Sequence, residues 1–188
     1  MPRSGEEARR RLHRAATELF LEHGFDAVTT AEIAERAGLT ERTFFRHFPD
    51  KREVLFEGET TLAEAMTAAV AGAPEGEPPL PVLVRACHAA VPIVEQNRPV
   101  TEPLARVFAT TPALQERQAA KGARLVELLA EALGERGVDR DLALLAAQTA
   151  WTTLSQATRH WMADPAGGLA AQVDQAFRQL GALVAELG

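Results

Sequence analysis

Apolar residues recur every three or four positions along nearly the whole chain. Ala8, Leu12, Ala15, Leu19 and Phe20 make one such stripe, with Ser4 and Glu7 at capping-box spacing before it and Gly24 behind it. This predicts a first helix that ends at Gly24, with Phe25 folding back on Phe20. Thr29 stands three residues before Glu32, the spacing of a second capping box. Ala34 is small where two helices must cross, and Gly38 suits a left-handed turn. Thr40 can cap the next helix, and Phe44 falls on its inward face. A small residue, a glycine four later and an apolar residue six after that is the packing pattern of a helix-turn-helix. The segment from Thr40 to His47 is then the one expected to enter a DNA major groove. Asp50 and Glu53 form a third capping box and predict a long helix carrying Val54, Leu55 and Leu62.

The remainder also reads as helices. Residues 72–79, GAPEGEPP, predict a loop. A helix from about Leu80 is expected to kink or end at Pro92, with a further break from Gln96 to Pro99 and a short helix from Thr101 to Ala109. Thr111 and Pro112 start the next helix, which carries Leu114, Leu125, Leu128, Leu129 and Leu133 and ends at Gly134. Asp139 caps a long helix running to Asp164, with Leu144, Ala147, Trp151, Leu154 and Trp161 along it, and Pro165 stops it. After Gly167 and Gly168, a last helix spans Leu169 to Leu187. No strand-like alternation of useful length occurs, so the predicted fold class is all-α. It comprises a three-helix helix-turn-helix domain over residues 1–52 and a helical effector-binding and dimerisation domain over 53–188.

The last helix shows Leu169, Val173, Ala176, Phe177, Leu180, Leu183, Val184 and Leu187. That apolar surface is too wide for one packing contact, which predicts an intrachain and an interchain neighbour. Leu154, Trp161, Val173, Phe177, Leu180 and Val184 are the expected dimer contacts. Burial in the chain's own core is the competing reading.

The net charge of −6 over 188 residues looks wrong for a DNA-binding protein. Divided after Arg52, the chain has ten basic against nine acidic residues in the first part and ten against seventeen in the second. Arrangement therefore matters more than the total. Arg3, Arg9, Arg10, Arg11 and Arg14 crowd the first helix, and Arg42, Arg46, His47, Lys51 and Arg52 crowd the recognition segment. Arg42 and Arg46 can present a guanidinium to the N7/O6 edge of guanine, or to phosphate. Thr29 and Thr30 can offer hydroxyl or backbone N–H groups to phosphate while also capping their helix. Thr40, Glu41, Thr43 and Phe45 complete the candidate DNA-binding face.

No apolar run is long enough for a transmembrane span and no signal peptide is visible, so no membrane partner is expected. A lone Cys87 cannot form an intrachain disulfide, which fits a reducing cytoplasm. His88 beside it projects about 100° away on a helix, so the two do not share a metal, and no cofactor is expected. The chain lacks a nucleophile turn, a Gly-rich phosphate loop and a His/Glu pair at metal spacing, which argues against an enzyme.

Gly24-Phe25, Thr29, Ile33-Ala34, Ala37-Gly38, Thr40, Thr43, Phe45, His47-Phe48, Lys51 and Leu55 together resemble the TetR family of one-component transcriptional regulators. Phe45 stands where that family commonly has a phosphate-binding tyrosine, and this chain has no tyrosine. The resemblance implies phosphate contacts from His47 and Lys51. It also implies a homodimer on double-stranded operator DNA and a small-molecule pocket in the C-terminal helices. Pro112 to Gln115 and Trp161 to Asp164 are similar to regulators with an acyl-CoA-like ligand-binding domain, which suggests a fatty or acyl effector. An apolar cavity is expected beside Trp151, with Gln148, Thr152 and Ser155 orienting a head group, Phe108 in the lining and Arg106 or Arg124 meeting an acidic group. The alternative is a helical adaptor that binds an acyl or other small ligand without binding DNA.

Overall fold

The structure is a computed structural model describing residues 2–56 and 59–186, with side chains from Gly5 onward, Glu59 excepted. Among the described residues all regular structure is helical: α1 (Pro2–His23), α2 (Thr30–Arg36), α3 (Glu41–His47), a 3-10 turn (Glu53–Leu55), α4 (Glu59–Ala71), α5 (Pro79–Thr110), α6 (Pro112–Glu135), α7 (Arg140–Ala163) and α8 (Gly168–Ala185). They pack as two compact units, residues 1–58 with 99–119, and 59–98 with 120–188.

The first unit is built on the α1 stripe. Leu12, Ala15, Ala16, Leu19 and Phe20 are buried with Ile33, Ala34, Phe44, Phe48 and Val54. Leu104 near the end of α5 and Leu114 at the start of α6 enter the same core. Gly24 takes φ +80, and the Phe20 and Phe25 rings meet at 5.0 Å, as the predicted helix ending requires. Arg3, Ser4 and Leu187 lie outside the described side chains.

The second unit buries Met66 and Val70 of α4, Leu83, Ala86, Cys87 and Ala90 of α5, Leu125, Leu129 and Leu133 of α6, Ala147, Ala150 and Leu154 of α7, and Leu169 and Val173 of α8. Alanine predominates where α7 is covered, so its neighbours approach closely. α8 has no local side-chain cap. The Glu95 carboxylate on α5 accepts from Leu169 N at 3.1 Å instead, and His88 of α5 meets Asp174 of α8 at 2.8 Å.

Three expected boundaries differ. The helix expected from Asp50 stops after one 3-10 turn, because Phe56 leaves the helical region (φ −106, ψ 25). Asp50 accepts from Glu53 N at 3.3 Å, but the Glu53 side chain pairs with Arg117 on α6, so the capping box is only half made. Next, α5 runs unbroken through Pro92, the Gln96–Pro99 stretch and Pro103. The cost of a proline inside a helix, about 3 kcal/mol, is outweighed by packing along the face of Val82, Leu83, Ala86, Ala90, Val91 and Leu104. Finally, α6 ends at Glu135 rather than Gly134. Gly137 (φ +84) is its left-handed terminator, and Val138 N donates to Leu133 O at 3.2 Å.

Candidate nucleic-acid interface

Helices α2 and α3 are both held at their N-termini by threonine. Thr29 accepts from Glu32 N at 3.2 Å while its own N–H donates to the Glu32 carboxylate at 2.8 Å, a complete capping box. Thr40 accepts from Thr43 N at 3.2 Å, and the two hydroxyls lie 3.0 Å apart. Between the helices Gly38 has φ +63 and Leu39 N donates to Ala34 O at 2.8 Å, while Arg11 donates to Gly38 O at 3.4 Å. Ala34 and Phe44 are buried at the crossing. A seven-residue helix is not stable by itself, so α3 depends on these contacts for its rigidity.

What α3 leaves outside is the candidate interface. Arg42 and Arg46 are exposed and make no ion pair with any described residue. Phe45 is 52% exposed, edge-on to Phe44 with centroids 5.5 Å apart. Nearby basic groups are already engaged. Arg36 forks onto Glu22 at 2.9 and 3.1 Å, and Arg52 is chelated by Asp50, whose carboxyl is held below the usual range chiefly by that guanidinium. Arg9 lies 4.6 Å over the Phe48 ring and donates to His47 O at 3.4 Å. Arg42 and Arg46 are thus the arginines of α3 that no described carboxylate engages, with Arg11 and Arg14 exposed on α1.

Of the two sequence-predicted phosphate contacts, Lys51 is engaged within the protein and His47 is half-buried. Lys51 Nζ donates to the carbonyls of Phe25 at 2.8 Å and Val28 at 3.0 Å, approaches Asp26 O at 3.5 Å, and stands 4.3 Å over the Phe25 ring. Its ammonium closes the turn between α1 and α2. An ammonium has three donors, and here each meets a carbonyl. His47 is half-buried with Nε2 enclosed. Burial, then the charges of Arg46 and Arg9, pushes its imidazole below the ordinary range. Thr30 donates its hydroxyl to the Glu41 carboxylate at 2.6 Å, joining the first residues of α2 and α3.

The candidate effector residues are dispersed. Arg106 is exposed and Phe108 half-buried in the first unit, where Phe108 lies edge-on to Phe56 at 5.7 Å. Arg124, Gln148, Trp151, Thr152 and Ser155 belong to the second. Trp151 is half-buried against α6, so close to Gly122 that a Cβ there would stand 2.6 Å from Nε1. The space beside the indole is thus partly filled by the indole itself. Gln148 and Thr152 do not face it. They line an outward groove of about 640 Å³ between α7 and α8, with Leu145, Gln179, Leu180 and Leu183. Neighbouring helical positions diverge by about 100°, which separates Thr152 from Trp151. Arg124 is exposed, 3.9 Å from Glu131. Ser155 is half-buried.

The candidate dimer residues divide similarly. Leu154, Trp161 and Val173 are buried in the unit's own core and are not available to a second copy. Phe177 is packed half-buried against that core and Leu180 is half-buried in the groove, while Val184 is 58% exposed. Sequence reasoning missed Leu142 and Leu145, which are exposed on α7. It also missed the ion pair of Glu53 with Arg117, whose guanidinium lies 5.1 Å from the Phe56 ring. Cys87 is buried, and burial pushes its thiol up to about 12. Among the described residues no helix is long and apolar enough to cross a membrane.

Comparison with known proteins finds two family models along the chain. Bacterial regulatory proteins of the tetR family match residues 12–57, and the MftR C-terminal domain matches 77–185. The HTH-type transcriptional regulator TcmR of Streptomyces glaucescens is 41% identical over 83 residues, 44% of this chain and 37% of TcmR. MftR of Mycobacterium tuberculosis, ascribed a regulatory role in mycofactocin biosynthesis, is 27% identical over 97% of this chain and 96% of its own. Thermus thermophilus FadR, a TetR family repressor solved with lauroyl-CoA, is 26% identical, with TM-score 0.53 and 92% of each chain covered. Carrying a tetR-type helix-turn-helix and an MftR-type C-terminal domain over most of its length, the chain belongs to the TetR family of DNA-binding transcriptional regulators.

Proposed function

We propose that this regulator is a cytoplasmic, homodimeric repressor that leaves its operator when a small apolar or acyl effector binds. The observation that carries the DNA side is the exposed face of α3. Arg42, Phe45 and Arg46 project from a helix fixed by Thr40, Gly38 and Phe44, and neither arginine has an ion-pair partner among the described residues. In this reading Arg42 reads a guanine edge and Arg46 contacts base or phosphate. Thr29, Thr40, Thr43 and His47 meet the backbone, and Lys51 serves by positioning the α1–α2 turn. Two copies join along α7 and α8 through Leu142, Leu145, Leu180, Leu183 and Val184. Their α3 helices then reach half-sites roughly 34 to 36 Å apart.

The effector class rests on the acyl-CoA complex of the related FadR and on the apolar second unit. In this reading Trp151, seated on Gly122, moves to admit the ligand. A ligand shifts the DNA-bound state only as far as its affinity differs between the two states, so entry must rearrange that packing. Fluorescence anisotropy against the DNA upstream of the protein's own gene tests the DNA reading. The expected result is salt-sensitive, sequence-specific binding, lost on adding a long-chain acyl-CoA. Binding unchanged by a broad acyl-CoA panel, with no response of the Trp151 emission, removes the acyl effector and leaves the DNA reading standing.

A further inference from the structure

We infer that Glu41 is a specificity-determining residue, reading the exocyclic amine of a cytosine at one position of each half-site. The inference rests on the DNA-binding reading of α3. Glu41 is the first residue of that helix and is exposed. Thr30 donates to Oε1 at 2.6 Å, and Oε2 meets no donor among the described residues. The side chain is therefore held in one orientation with one acceptor oxygen left outward.

A carboxylate on the leading end of a helix entering the groove is costly in general. It lies between two rows of phosphates, so it weakens binding to every sequence unless a donor meets it. Helix capping does not demand it, because Thr40 already satisfies Thr43 N. The major groove offers two kinds of base donor, cytosine N4 and adenine N6. Adenine also carries the N7 acceptor beside its amine, which a carboxylate opposes. Cytosine has no acceptor on its own major-groove edge, so it is the base that a carboxylate selects. Because Thr30 fixes the rotamer before docking, ordering Glu41 costs little on binding, and discrimination against the other bases is correspondingly sharp. Arg42, next in sequence and without an ion-pair partner among the described residues, supplies the positive charge that offsets it.

The test is selection of the full-length protein and its variants on a fully randomised duplex library, read by sequencing, with circular dichroism to check folding. The wild-type protein should enrich one position per half-site for cytosine, by on the order of tenfold over the other bases. Glu41→Gln should move that position to adenine, since an amide matches N6 and N7 together. Glu41→Ala should leave it unselective, and Thr30→Val should blunt the cytosine preference, with other positions unchanged in both. If both Glu41 variants enrich the wild-type motif, or if every sequence loses affinity equally alongside a fall in Tm, Glu41 is only a brace and the inference fails alone. A wild-type motif with adenine at the position that responds to Glu41 also overturns it. If the wild-type protein enriches no motif at all, the DNA-binding reading fails with it.

Discussion

Removing the Lys51 ammonium separates a positioning residue from a phosphate contact. Its two shorter hydrogen bonds, at 2.8 and 3.0 Å, end on carbonyls of the turn that leads into α2, and the Phe25 ring lies 4.3 Å below. A hydrogen bond from a charged donor is worth about 1.5–3 kcal/mol, and an exposed cation–π contact about 0.5–1 kcal/mol. The site is half-exposed, so water replaces much of the loss in Lys51→Ala. The net cost is then about 2–3 kcal/mol of stability, or roughly 5–10 °C in Tm for a chain of this size. Salt dependence gives the decisive reading. A phosphate contact contributes about 0.9 to the slope of log K against log salt, or about 1.8 for a symmetric dimer. The structure predicts a lower Tm and weaker binding with the slope unchanged. Lys51→Met, which keeps the alkyl stem, should behave the same way. A slope reduced by nearly 2 with Tm intact would refute the positioning role.

Gly122→Ala places a methyl 2.6–2.9 Å from three indole atoms of Trp151. It should shift the tryptophan emission and destabilise the protein by about 1–3 kcal/mol, the usual cost of overpacking; an unchanged spectrum would show that the indole is free of Gly122. His47 titrates below its unfolded value, so the unfolded chain binds the extra proton first. The stability His47 contributes is complete above about pH 6.5 and is lost as pH falls through its folded value. Urea unfolding between pH 7.5 and 5 should show this decline, and His47→Asn should flatten it. Leu183→Glu, at a side chain 62% exposed, should leave helicity intact and yield monomers by sedimentation; persistent dimers would move the interface off α8. Replacing Arg117 should lower stability by about 1–2 kcal/mol, and a double-mutant cycle with Glu53→Gln should recover most of it as coupling. A coupling near zero would mean that the pair is incidental.

The helices were legible where the signal is local. Thr29, Gly38, Thr40 and Asp139 each act within three or four residues, and all four have the geometry their spacing implies. The continuity of α5 was not legible, because proline argues for a break and only the buried face of Val82 to Leu104 outweighs it. The opposite error occurred after Asp50. A local capping signal was present, but Glu53 is drawn to Arg117, a residue 64 positions away.

The same distinction governs the candidate site. Arg42, Phe45 and Arg46 were identifiable because exposure on a short capped helix follows from its periodicity. The bonds of Lys51 within the protein were not legible because its acceptors are carbonyls, which every residue possesses and no sequence pattern marks. Trp151 and Thr152 were grouped by proximity in sequence, yet one faces α6 and the other the groove against α8. Glu95 at the N-terminus of α8 is the clearest case. The helix lacks a local cap, and the group that serves it comes from 74 residues upstream. Polar side chains that act across the fold are chosen by where the backbone has already been placed. Their roles become readable only after apolar packing has fixed the helices, whereas capping and turn residues help to fix them.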